Sequence, residues 1–118
     1  MAWKFNSTGS VSIQLSDRIR SDILRGVYPP GSQIPPVRTL ALETAINPNT
    51  VQKALTVLEE EGLLYSRTTS GRFVTEDLSV IEAARNVAKA AAIRRIISEA
   101  NSVGITKEEL ILSIKEEM

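Results

Sequence analysis

The sequence contains no cysteine and no histidine. Together these absences remove disulfides, thiol nucleophiles, the usual zinc sites and histidine-based acid–base catalysis. No apolar run approaches the ~20 residues of a membrane span, and the opening Met1-Ala2-Trp3-Lys4-Phe5 has no signal-peptide pattern. A reducing, cytoplasmic setting without membrane contact is therefore expected. Net charge is also lacking, since 14 Lys/Arg balance 14 Asp/Glu. The balance is uneven along the chain: residues 1–75 carry 8 basic against 6 acidic side chains, and residues 76–118 carry 6 against 8. So small a surplus does not say which face is positive. Ser, Lys, Asp and Glu form no catalytic constellation, so neither an enzyme, a cofactor nor a metal site is expected. What is present suffices for a core: 42% of the 118 residues are hydrophobic. That fits one domain, or one domain with a helical appendage, and argues against disorder.

The most informative stretch runs from Asn47 to Gly62. Asn47 suits an N-cap, and Pro48 suits the first helical position, where its missing N–H does no harm. Val51, Ala54, Leu55 and Leu58 recur at helical spacing and form one buried stripe, and Gly62 stands where the chain leaves the helix. The outer face near the N-terminal end carries Asn49, Thr50, Gln52 and Lys53, with no acid before Glu59. Asn and Gln amides can pair with adenine edges, while Lys and the helix N-terminus can hold phosphate. This is the pattern of a recognition helix; an ordinary amphipathic helix with a polar outer face is the plainer alternative.

Its neighbours favour the first reading. Trp3 and Phe5 open a polar N-terminal arm and are expected to dock on the body. Val11, Leu15, Ile19 and Ile23 keep a spacing of four, which predicts an amphipathic helix ending at Gly26. Its wet side is expected to carry Arg18, Arg20 and Arg25, partly balanced by Asp17 and Asp22, most of them in surface ion pairs and one or two open to a phosphate contact. The proline-rich run from Gly26 to Pro36 forbids helix through most of its length and fixes the entry angle of a short helix from Val37 to about Thr44, with Leu40 and Ala41 inward and Arg38 outward. Two helices a few residues apart, the second polar at its start, make a helix-turn-helix. Two β-prone runs follow, Leu63–Arg67 and Arg72–Thr75, linked by Thr68-Thr69-Ser70-Gly71 as a hairpin loop with its glycine left-handed. A hairpin behind a recognition helix is a wing, and Arg67 and Arg72 flank its tip, suited to DNA backbone or minor groove. The plainer alternative is a hairpin that only covers the core edge.

Beyond Glu76 the composition turns alanine-rich. Asp77 or Ser79 can cap a helix reaching about Ser102, whose end bears Ile93, Ile96 and Ile97. After Gly104, Thr106-Lys107-Glu108-Glu109 reads as a capping box for a last helix carrying Leu110 and Ile114. So short a segment cannot bury a core alone, so these apolar faces are expected to form the dimer contact. The fold class is therefore mainly α with a small β-hairpin wing. It comprises a winged helix-turn-helix at residues 1–75 and a C-terminal two-helix dimerisation segment at residues 76–118.

Taken together, the residues from Gln14 to Val74 resemble GntR-type winged-helix transcription regulators of bacteria. The family's turn glycines correspond to Gly26 and Gly31, and its Leu-Pro-Ser-x-Arg-x-Leu-Ala signature appears as Ile34-Pro35-Pro36-Val37-Arg38-Thr39-Leu40-Ala41. Glu61-Gly62-Leu63-Leu64 and Gly71-Arg72-Phe73-Val74 match its wing. The Ile46-Asn47-Pro48-Asn49-Thr50-Val51 turn is similar to the short YtrA-like branch. Three departures stand out: Pro36 replaces a capping serine worth ~1 kcal/mol, Thr68-Thr69-Ser70 replaces a glycine-rich wing tip, and Pro48 and Gln52 lie where many relatives carry arginine. The resemblance implies a repressor acting as a homodimer on a palindromic operator in double-stranded DNA, of the kind that controls transporter operons, and it names no small-molecule effector. It also implies DNA contacts by Arg38, Asn49, Thr50, Lys53, Ser70, Gly71 and Arg72, to which the recognition-helix and wing readings add Asn47, Gln52 and Arg67. A winged helix serving as a protein-interaction or architectural module, without base-specific readout, is the alternative.

Overall fold

The computed structural model describes residues 3–7, 9–67 and 71–118. Five helices and one hairpin follow in order: α1 Val11–Leu24, α2 Val37–Thr44, α3 Pro48–Glu60, β1 Leu64–Arg67, β2 Gly71–Val74, α4 Leu78–Ser102 and α5 Lys107–Glu117. The chain forms two compact units, residues 1–83 and 84–118.

In the first unit, α3 lies at the centre, with α1, α2 and β1 packed on it. Leu15, Ile19, Leu40, Val51, Leu55, Leu58 and Leu63 are almost wholly buried and make the core. Ser10 caps α1 by accepting the Ile13 N–H at 3.3 Å. The face α1 buries is shifted from the expected one. Val11 remains 37% exposed, while Ser12, Ser16 and Asp22 are buried beside Leu15, Ile19 and Ile23. Asp22 is therefore not a wet-face residue. It lies three residues after Ile19 and seven after Leu15, on the same stripe, and is held by Arg25 at 2.5 Å and Arg18 at 3.4 Å. The arm docks as expected: Trp3 stacks on Phe5 with centroids 6.2 Å apart, and Arg18 lies 4.8 Å over the Trp3 ring. The Gln14 amide adds two bonds to the Asn6 backbone.

At the head of α2, Pro36 supplies no side-chain cap, as its ring dictates. Its far end turns through Ala45, whose φ of 58° is left-handed. Thr44 steadies that turn, its Oγ1 donating to the Leu40 carbonyl at 2.6 Å and accepting from the Ile46 N–H at 3.3 Å. The hairpin is antiparallel, with Leu64 opposite Val74 and Arg67 opposite Gly71. A third strip, Gly31–Ile34, lies along the free edge of β2. Gly31 and Ile34 donate to the Val74 and Arg72 carbonyls at 2.9 and 3.1 Å, and Val74 donates back to Ser32 at 2.8 Å. The proline-rich connection thus completes the sheet edge as well as setting an angle.

Asp77, not Ser79, starts α4: its Oδ1 accepts both the Ser79 N–H at 3.0 Å and the Ser79 hydroxyl at 2.6 Å. Those bonds hold the Asp77 carboxyl below its ordinary pKa. In the second unit, α5 begins with the expected capping box, Thr106 and Glu109 bonding each other's backbone N–H at 3.1 and 3.2 Å. Ala100 is the one buried residue of this unit. Ile93, Ile96, Ile97, Leu110, Ile111 and Ile114 line a groove of about 410 Å³. Ile93 is still 45% exposed and Ile114 42%, so this unit does not cover its own apolar side. Among the described residues no helix is long and apolar enough to cross a membrane, and no acidic cluster could hold a metal ion.

Candidate nucleic-acid interface

Asn47 closes the start of α3 completely. Its Oδ1 accepts the Asn49 N–H at 2.8 Å, and its carbonyl accepts the Thr50 and Val51 N–H groups at 2.9 and 3.1 Å. Pro48 has no N–H to offer. The leading amides of the helix are therefore all engaged within the protein or absent. What faces outward is side chain. Asn49, Gln52 and Lys53 are exposed and Thr50 is half-buried, and none of the four uses its side chain in a bond within the described residues.

Charge is separated along the same helix. Its first turn holds no acid, and Glu59 lies ten positions beyond Asn49, about 15 Å along the axis. Both acids bonded at the far end are held by arginines: Glu59 by Arg72, and Glu61 by Arg20. Glu60 is exposed and makes no ion pair among the described residues, so the negative charge of α3 is confined to its far end, away from the outward amides. Arg38, the second residue of α2, is exposed and makes no ion pair among the described residues.

The two wing arginines have different surroundings because side chains alternate across a strand. Tyr65, Phe73 and Arg67 share the outer face. The two rings stack with centroids 5.8 Å apart. The exposed Arg67 guanidinium lies 4.7 Å over Phe73 and 5.8 Å from the centre of Tyr65, a cation–π arrangement that presets its direction. That Tyr65 and Arg67 share a face is readable from their spacing, but that Phe73 joins them, and so the bed for Arg67, depends on the strand register. Arg72 pairs across the ladder with Ser66 and is directed to the opposite face, where it meets Glu59 with only 15% of its side chain exposed. Gly71 is exposed, with φ at 90°, and a Cβ there would come within 2.9 Å of the Gln33 amide. Ser70 lies outside the described residues. The structure thus brings Asn49, Gln52, Lys53 and Arg67 to accessible positions, leaves Arg38 exposed on α2, gives Asn47 a capping task, and ties Arg72 to the protein itself.

A family model, bacterial regulatory proteins of the gntR family, matches residues 12–74. The HTH-type transcriptional repressor YtrA of Bacillus subtilis is 31% identical over 105 residues, covering 87% of this chain and 80% of that one. A GntR family transcriptional regulator from Listeria monocytogenes superposes with a TM-score of 0.86 at 32% identity, covering 95% and 98% of the two chains. The DNA-binding domain of AraR, solved in complex with operator ORX1, superposes with a TM-score of 0.56 at 26% identity, over 64% of this chain and 95% of that one. With its hairpin, its helix-turn-helix and its outward amides, the chain belongs to the gntR family of bacterial regulatory proteins, which are DNA-binding transcription regulators.

Proposed function

We propose that this regulator is a homodimeric, sequence-specific repressor acting on a palindromic operator, and that its targets include a transporter operon. The observation that carries the reading is the start of α3, where Asn49, Gln52 and Lys53 stand exposed with no acid in the first turn. Amides there can discriminate adenine edges, and the cations Lys53, Arg38 and Arg67 can neutralise phosphate. Asn47 acts by fixing the helix start, and Thr50 and the wing tip with Ser70 and Gly71 approach the backbone. Residues 1–75 form the DNA-binding part and residues 76–118 the dimerisation part, in which Ile93, Ile96, Ile97, Leu110 and Ile114 pack against a second copy. The half-exposed groove between α4 and α5 supports that assignment, because so much apolar surface is rarely left uncovered. The name of the relative YtrA supports repression.

Selection of bound sequences from a random duplex pool is the test. A two-fold symmetric site, kept about 1,000-fold or more over unrelated duplex, is the expected result. Equal retention of all sequences would instead support an architectural module. Light scattering at micromolar concentration tests the dimer, and a monomer would refute it.

A further inference from the structure

We infer that Arg72 is a positioning residue that locks the wing to the recognition helix, and that it makes no phosphate contact itself. Three restraints converge on this one residue. Its carbonyl accepts the Ile34 N–H at 3.1 Å, which ties β2 to the Gly31–Ile34 strip. Its backbone lies in the ladder opposite Ser66 on β1. Its guanidinium meets Glu59 in the last turn of α3. The strand is thus held along both edges and on its inner face, and the last restraint alone reaches the recognition helix. A charge-assisted pair between half-buried groups is more directional than one in open water, and a strut of this kind sets the angle between wing and α3. Arg67 differs in each respect, being exposed, on the outer face and bedded on two rings.

The alternative is that Arg72 is a DNA-binding cation held in reserve by Glu59. The two ideas predict opposite effects for Glu59→Gln. Removing an acid near DNA ordinarily strengthens binding, and freeing a reserve arginine would add to that and steepen the salt dependence. Loss of a strut weakens binding instead. The inference rests on DNA binding by the wing and recognition helix together, so one readout is taken without DNA. In the free protein, hydrogen exchange at the amides of residues 71–74 should quicken in Glu59→Gln and in Arg72→Ala. The second readout is affinity for a duplex recovered by random-pool selection and for an unrelated duplex of equal length. Both variants should bind about three- to tenfold more weakly than the parent, the scale of one partly buried ion pair. The slope of log affinity against log salt should stay unchanged in Arg72→Ala and fall by about one unit in Arg67→Ala. The swapped variant, Glu59→Arg with Arg72→Glu, should regain most of the affinity and the slow exchange. Tighter binding by Glu59→Gln, or a slope reduced by one unit in Arg72→Ala, would overturn the inference. So would unchanged exchange in both single variants. If no variant or parent binds DNA while exchange responds as stated, the strut stands and the DNA-binding reading falls.

Discussion

Arg20 on α1 reaches Glu61 at the end of α3, its Nε and Nη2 donating to the two carboxylate oxygens at 2.8 and 2.6 Å. Its Nη1 also donates to Asp17 at 2.7 Å. The Glu61 bond, and then Asp17, raise the pKa of Arg20 against the opposing effect of burial. This fork spans the two helices that make the main contact of the first unit. Glu61 is 37% exposed, so solvent screening limits its worth. Glu61→Gln should cost about 0.5–1 kcal/mol of stability, read as a lower urea midpoint. An unchanged midpoint would show that the fork orders the helix ends without stabilising them.

Ala45 holds a left-handed conformation that an L-residue adopts at a penalty of about 1 kcal/mol. Glycine adopts it freely but loses more chain entropy on folding. The first effect is the larger in a tight helix-to-helix turn, so Ala45→Gly should stabilise the protein by about 0.5 kcal/mol. A lower melting temperature in this variant would contradict that ranking.

Positioning and readout can be separated at the proposed interface. Arg38→Ala should weaken binding to all duplexes alike and reduce the salt slope by about one unit. Asn49→Ala should cost about 1–3 kcal/mol on the selected site only. An equal loss on selected and unrelated duplex for Asn49→Ala would mean that its amide reads no base.

Tyr28 gives stability an alkaline limb. Burial raises its pKa above the ordinary value of 10.0, and the negative charges of Asp22 and Glu43 add to this against Arg18. A group whose folded pKa is raised contributes stability that is complete below the unfolded value. That contribution is lost as pH rises through 10 towards the folded value. Tyr28→Phe has no proton to lose, so its stability should fall less steeply between pH 9 and pH 11, about one unit either side of the usual phenol value. Parallel pH curves for the two proteins would exclude Tyr28 as the cause.

Local signals were the legible ones. Asn47 and Pro48 announced the start of α3, Thr106 and Glu109 the start of α5, and the stripe from Val51 to Leu58 the buried side of the central helix. The fold class and the hairpin followed from them. Asp22 falls on the stripe of Leu15 and Ile19, so its phase places it inward even though its charge favours the wet face. The two arginines that brace α3 were beyond reach. Arg20 and Glu61 are 41 residues apart, Arg72 and Glu59 are 13 apart, and neither pair lies within one element. Which face of the wing Arg72 occupies depends on a register that the sequence leaves open by one residue. The Gly31–Ile34 strip was hidden for a similar reason: prolines argue against strand, yet the residues between Pro30 and Pro35 pair with β2.

The closure of α3 by Asn47 separates two kinds of change. The fold uses a cap, a proline and a buried stripe; the side chains at positions 49, 52 and 53 are exposed and make no hydrogen bond or ion pair within the described protein. Helix-compatible substitutions there are expected to spare the start of the helix, its backbone bonds and the core beneath. On the proposed reading, a duplicated copy of this gene can therefore drift towards a new target sequence one outward residue at a time, remaining a folded protein at each step.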